Sequence, residues 1–278
     1  MDAKKLYPEW LEEAVVYQIF PPSFKDADGD GIGDLRGITE KLDYIRRLGA
    51  DTLWLSPIFD SPFEDAGYDV RDYYRIAPRY GSLADFDALV AAVHERGMRL
   101  LLDFVPGHTS DQHPWFQASM AHERNAYSDR YIWTGTTFPT EDLGPGTFVN
   151  GRGARDGNYM TNFFYFQPAL NYGYADPKPD CPWQLPVDHP AVIELKREME
   201  AILRYWLDRG VDGFRVDMAP SIVKANDPAH KPAAVKRFWQ ELRQWWDRDY
   251  PEAALIAEWS DPSAAIDAGF HADFMIHF

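Results

Sequence analysis

Apolar residues recur along this chain in two alternating patterns, a short continuous run followed by a helical stripe. Residues 14–20 form a first run of strand length, and 38–48 carry Ile38, Leu42, Ile45 and Leu48 at helical spacing before Gly49. A second strand over 52–55 precedes a helix over 83–96, with Leu83, Phe86, Leu89, Val90 and Val93 on one face and Gly97 at its end. The third strand covers 98–105. Later the same rhythm gives a helix over about 191–208, a strand at 211–216, a helix over about 233–246, and strands at 253–257 and 271–278. Strands apolar at successive positions are buried on both faces, as in parallel sheets covered by helices.

Between 106 and about 187 the rhythm breaks. Gly, Pro, Asn and Asp punctuate aromatic pieces such as Phe163-Phe164-Tyr165-Phe166, with no long helical period. The stretch is too long for a βα loop and reads as an inserted subdomain. The expected organisation is 1–105 as the first part of a β/α barrel, 106–187 as the insertion, and 188–278 as the continuation with strands four to six. Six strands do not close a (β/α)8 TIM-type barrel, so the fold class expected is α/β with an incomplete barrel. The ending Met275-Ile276-His277-Phe278, without cap or polar tail, favours a piece of a longer protein.

Charge narrows the partners. Lys and Arg number 28 against 44 Asp and Glu, a formal net charge of −16, which repels nucleic acid and anionic membrane and leaves a neutral ligand as the better fit. The aromatic load, with 10 Trp, 15 Tyr and 17 Phe, suits stacking on sugar rings, although most such residues fill core. Within the insertion, Trp133, Phe148, Tyr159, Phe163 and Phe166 are candidate sugar platforms. The single cysteine, Cys181, permits no intrachain disulfide. The first 13 residues lack a secretory pattern and no run is long and apolar enough to span a bilayer, so a cytoplasmic location is expected.

The chemistry sits at strand ends. Asp217 closes Gly213-Phe214-Arg215-Val216, and Glu258 closes Leu255-Ile256-Ala257. In a β/α repeat those ends share one face, and two converging carboxyl groups are the minimum equipment for breaking a glycosidic bond. Asp103 lies near the end of the third strand and His108 follows it. Arg215, two residues before Asp217, shares its face. Arginine is expected to keep Asp217 ionised, as a nucleophile requires; Glu258, between Ala257 and Trp259, is expected to be kept protonated by apolar surroundings, as a general acid requires.

A second pattern lies at 26–34, where oxygen donors recur at every second position with Gly at the turn, the spacing by which a loop wraps a hard cation. Asp26, Asp28 and Asp30 are expected to ligate Ca2+ through side chains, Ile32 through its carbonyl, and Asp34 directly or through water. Gly37 stands where a helix-loop-helix calcium hand needs a bidentate Glu, so that motif is excluded. The plain alternative is an Asx-turn surface loop.

These residues resemble the α-amylase family of glycoside hydrolases, nearest its oligo-1,6-glucosidase, α-glucosidase and trehalose-converting branch, over residues 15–278. The matching pieces are Val16-Tyr17-Gln18-Ile19-Phe20 with the loop after it, Ala66-Gly67-Tyr68-Asp69-Val70, the segment 103–108, Gln167-Pro168-Ala169-Leu170-Asn171, the segment 213–217, and Glu258-Trp259. The resemblance implies a (β/α)8 catalytic barrel with a domain inserted after the third strand, and a retaining glycosidase or transglycosidase acting on α-glucosidic bonds. Asp217 would be the nucleophile, Glu258 the acid/base, and Arg215 the holder of the nucleophile. Tyr68 would stack under the sugar, Asp69 and His108 would grip its hydroxyls, and Asp103 would support that subsite.

Three departures qualify the implication. The family's third carboxylate, an Asp after a His, has no match before Phe278, since His271-Ala272-Asp273 has the wrong spacing; this chain alone is expected to turn over little. Gly107 replaces the Asn that many α-amylases use for calcium. Met218 stands where relatives carry Val or Thr, so linkage preference does not carry over. The alternative expected is an inactive fragment or a non-catalytic carbohydrate-binding or assembly relative.

Overall fold

The computed structural model describes residues 7–274. Its centre is a six-stranded parallel sheet built from β1 (Val16–Ile19), β2 (Thr52–Leu55), β5 (Arg99–Phe104), β8 (Gly213–Val216), β9 (Ala254–Glu258) and β10 (Ala272–Phe274), in that spatial order. The remaining strands form two small antiparallel pairs, β3 (Phe59–Asp60) with β4 (Asp72–Ile76) and β6 (Thr147–Val149) with β7 (Tyr159–Thr161). Helices α1 (Leu35–Arg47), α2 (Leu83–Glu95), α3 (Pro114–Ser119), α4 (Pro190–Leu207), α5 (Lys231–Asp249) and α6 (Pro262–Ala268) complete the order.

Each helix has a local cause. Asp34 caps α1 by accepting from Gly37 N, and Ser82 with Asp85 forms a capping box at α2. α4 begins with Pro190 at its first position. The apolar stripes Ile38, Leu42, Ile45 and Phe86, Leu89, Val90, Val93 are buried as their spacing predicts; Leu48, expected to extend the first stripe, is exposed at the helix C-cap. Behind the sheet, Trp206 of α4 stacks on Phe59 at 5.1 Å and meets Phe86 edge-on at 5.0 Å.

The sheet is curled, an incomplete barrel. Its inner face carries one residue from each strand, Val16, Trp54, Leu101, Arg215, Ile256 and Phe274, around a cavity of about 160 Å³. Trp54 of β2 and Phe274 of β10 approach to 5.6 Å across that interior, although three strands separate them along the sheet. Side chains alternate faces along a strand, so Asp103, Asp217 and Glu258, two residues beyond Leu101, Arg215 and Ile256, project on the same inner side at the C-terminal rim.

The hairpin β3–β4 and helix α6 carry no long period and were not expected from the sequence. The strand expected over 271–278 is seen as β10, and 275–278 lie outside the described residues, as do 1–6. No helix among the described residues is long and apolar enough to cross a membrane.

Candidate active site

Parallel register brings the charged groups together. Asp103 on β5 is the direct partner of Arg215 on β8, and Val216 is that of Ala257, so Asp217 and Glu258 emerge side by side at adjacent strand ends. The guanidinium of Arg215 holds all three acids. Nη1 donates to Asp103 Oδ1 at 2.5 Å and to Asp217 Oδ1 at 2.8 Å, and Nη2 lies 2.8 Å from Glu258 Oε1. Arg215, Asp103 and Asp217 are buried; Glu258 is partly exposed.

Met218 adds a fourth contact. Its backbone is left-handed, φ 42°, which is unusual for a residue with a side chain, and its N–H donates to Glu258 Oε2 at 2.8 Å. Both oxygens of Glu258 are therefore engaged by polar partners. This corrects the expectation of apolar surroundings: the register of β8 against β9 sets Arg215 and the Met218 amide against that carboxyl. The expectation that Arg215 dominates at Asp217 is corrected as well. Burial, ahead of the opposing pull of Arg215 and with help from Glu258 and Asp103, pushes the Asp217 carboxyl well above the usual range.

Asp103 has a complete set of donors. Besides Arg215 it accepts from Trp54 Nε1 at 3.0 Å and from Tyr68 Oη at 3.2 Å. Burial still raises its pKa to about 6, against the pull of Arg215 and these hydrogen bonds. Tyr68 also lies under the guanidinium, 5.6 Å from ring centre to Arg215. His108 is buried; its Nε2 bonds the Tyr68 carbonyl at 3.2 Å and its Nδ1 meets Asn162 Nδ2 at 3.2 Å, while burial lowers its pKa to about 3, leaving it neutral.

Asp69 does something else. Fully buried, it accepts from Ser61 Oγ at 2.9 Å, Glu64 N at 2.9 Å and Asp65 N at 3.1 Å, holding the loop that precedes Tyr68. The expected direct grip on a sugar hydroxyl gives way to loop organisation. The aromatics of the insertion divide similarly. Trp133, Tyr159 and Phe166 are buried, two of them packed on Phe116 at 5.6 and 5.0 Å, whereas Phe163 is 58% exposed and Phe148 partly so.

His271 and Asp273 are structural. His271 Nδ1 accepts from Leu255 N and Asp273 Oδ1 from Trp259 N, each at 2.9 Å, which ties β10 and the residue before it to both ends of β9. Sequence reading missed Trp54, Asn162 and Lys224. Trp54 had a usable signal, a polar-tipped side chain near a strand end; Asn162 and Lys224 lie in irregular segments where no period locates them.

Beside Glu258 opens a cavity of about 320 Å³, lined by Met218, Pro220, Ser221, Lys231, Trp259 and Ser260. A larger cavity, about 520 Å³, lies in the insertion against Arg124, Trp133, Arg155 and Trp183 and contains none of the three acids. The convergent charges, not the volume, mark the reactive place.

At the cation-type loop, ligand oxygens of Asp26, Asp28 and Asp34 lie within 4.8 Å of one another. Asp26 accepts from Gly29 N at 2.5 Å and Gly31 N at 2.8 Å, bonds that lower its pKa, and Asp34 from Ala27 N at 2.9 Å while it caps α1. Asp30, expected as a ligand, is exposed, lies outside that group of three, and accepts from Ile32 N at 2.7 Å. Three carboxylates this close match the donor set of a hard cation.

Comparison with known proteins gives a consistent picture. The family model for the alpha amylase catalytic domain matches residues 18–273. A trehalose synthase/amylase of Mycolicibacterium smegmatis is 39% identical over 271 residues, covering 94% of this chain and 42% of that protein. An alpha-glucosidase of Culex pipiens is 46% identical over 265 residues, covering 91% and 42%. Among solved structures, isomaltulose synthase from Klebsiella superposes with a TM-score of 0.80 at 34% identity, covering 97% of this chain and 50% of that one. Trehalulose synthase from Pseudomonas mesoacidophila gives 0.78 at 33% identity, covering 96% and 49%. The chain thus spans half or less of the length of these relatives.

Proposed function

The chain belongs to the α-amylase catalytic-domain family, and from that premise we propose that the protein containing it is a retaining α-glycosidase or transglycosidase acting on malto-, isomalto- or sucrose-like α-glucosides. The observation that carries the reading is the single guanidinium shared by Asp217 and Glu258. Inverting enzymes hold their acids roughly 6.5–9.5 Å apart to admit a water, and a pair bound to one planar group favours the closer, retaining separation.

In this mechanism Asp217 attacks the anomeric carbon while Glu258 protonates the departing oxygen. A water or acceptor sugar, deprotonated by Glu258, then releases the glycosyl group with configuration retained. The pair needs one proton between its two carboxyls, held on Glu258 with Asp217 ionised, and Arg215 opposes the upward push that burial and Glu258 exert on Asp217. Arg215 orients both acids, and Asp103 anchors Arg215 and Tyr68. Neutral His108 is held against the Tyr68 carbonyl and so supports that residue, and the exposed Phe163 is a platform at the cleft entrance.

Asp26, Asp28 and Asp34, with the Ile32 carbonyl, would hold a structural Ca2+ that neutralises their mutual repulsion. A cytoplasmic location and a neutral oligosaccharide partner agree with the acidic composition and the single cysteine. The test is hydrolysis of p-nitrophenyl α-glucoside and a maltooligosaccharide panel by the full-length protein. Asp217→Ala should abolish turnover; equal activity in the variant would refute the mechanism and favour a non-catalytic carbohydrate-binding relative.

A further inference from the structure

The link from Lys224 to Asn162 has no part in the chemistry described above, although it ends on His108. Lys224, seven residues beyond Asp217, is half-buried and donates from Nζ to Ser221 O at 2.6 Å and to Asn162 Oδ1 at 2.9 Å. Asn162 lies in the insertion directly after β7. Its Nδ2 approaches His108 Nδ1 at 3.2 Å and donates to Ser221 Oγ at 3.3 Å. His108 Nε2 in turn meets the carbonyl of Tyr68, whose hydroxyl bonds Asp103.

The donor and acceptor inventory leaves a single arrangement. An ammonium only donates, so the amide atom of Asn162 facing Lys224 is the oxygen. The amide nitrogen then faces His108 Nδ1, which must accept. A backbone carbonyl also only accepts, so His108 Nε2 carries the hydrogen that Tyr68 O receives. Both ends demand the same tautomer.

Gly107 makes the contact possible. A Cβ at that position would lie 2.6 Å from Asn162 Nδ2 and 3.0 Å from Ser221 Oγ, so any side chain there would displace the amide. The neighbour of His108 in sequence is therefore cut back to glycine where the Asn162 amide needs the space.

We propose that Asn162, oriented by Lys224 and admitted by Gly107, is a positioning residue that locks His108 in the Nε2–H tautomer and so commits that hydrogen to the Tyr68 carbonyl, fixing the ring and the Tyr68 backbone beside Asp103. The consequence for catalysis rests on the glycosidase reading; the tautomer does not, so the two fail separately.

The test is 15N NMR of the full-length protein labelled at histidine, with the His108 signals assigned by their loss in His108→Gln. Burial lowers Lys224 to about 7, so spectra are taken at pH 6, where its ammonium is retained. The wild-type ring should show a pyridine-type shift at Nδ1 and a pyrrole-type shift at Nε2; the reverse pattern overturns the proposal without any variant. Asn162→Asp keeps the size and the acceptor for Lys224 but replaces the donor, so Nδ1 should become pyrrole-type. An unchanged Nδ1 shift in folded Asn162→Asp overturns the proposal. Gly107→Ala alters no donor or acceptor, and should convert the single tautomer into an averaged pattern; retention of the wild-type pattern there would show that the space at 107 is not what admits the amide.

Discussion

Asp103→Asn sets burial against ion pairing at the centre of the site. The wild-type carboxyl is fully buried, and its pKa stands at about 6 against an ordinary 3.8 even though Arg215 donates to it at 2.5 Å. Its folded value thus lies above its unfolded value, and between the two the folded state binds more protons than the unfolded state. The stability it contributes is fully present below the unfolded pKa and is lost as pH rises through about 6. Two pKa units correspond to about 3 kcal/mol. The asparagine side chain does not titrate. It also meets a donor on each side, Arg215 Nη1 and Trp54 Nε1, so one of them is left facing an amide NH2, at a cost of about 1.5–3 kcal/mol. Urea unfolding at a series of pH values from 4 to 7.5 should show the variant less stable at pH 4, with the gap narrowing by about 2 kcal/mol towards pH 7, since at pH 4 the unfolded carboxyl is already partly ionised. A gap that widens with pH would mean that Arg215 outweighs burial and holds Asp103 below its ordinary value, and the electrostatic account of the site would fail. Turnover should drop about 100-fold, because Arg215 loses the partner that fixes its angle to Asp217.

Three further outcomes follow from the geometry. Glu258→Gln should lower kcat/KM, which reports the glycosylation step, on maltose by at least about 100-fold but much less on α-glucosyl fluoride, whose leaving group needs no proton; an equal loss of kcat/KM on both substrates would remove Glu258 from the acid role. The wild type should show a Ca2+-dependent rise in Tm over EDTA-treated protein and Asp28→Ala should abolish it; a rise preserved in the variant would exclude the loop at 26–34 as the metal site. Gly213→Ala should cost about 3 kcal/mol in urea unfolding, because Gly213 has φ 151° and a Cβ there would sit 2.2 Å from Ala254 O; a neutral result would contradict the close β8–β9 approach that pairs the two acids.

The sequence by itself determined the alternation of strands and helices, because burial on both faces of a parallel strand and on one face of a helix leaves a period that survives without coordinates. It also located Asp217, Glu258, Arg215 and Asp103, since strand ends in a β/α repeat converge whatever the loops do. The hairpin β3–β4 and helix α6 escaped because two to seven residues carry too short a pattern to register. What Asp69 does was decided by tertiary contacts: its neighbours in sequence resemble a sugar-binding motif, but three donors from 61–65 occupy the carboxylate. The electrostatics of Asp217 were decided in space as well. Arg215 two residues earlier favours an ionised group, and only the fold reveals that the same guanidinium is divided among three acids while burial pushes the Asp217 carboxyl upward. The link from Lys224 through Asn162 to His108 joins residues 54 to 62 positions apart in segments without periodicity, so no local pattern encodes it; packing of the insertion against the sheet creates it.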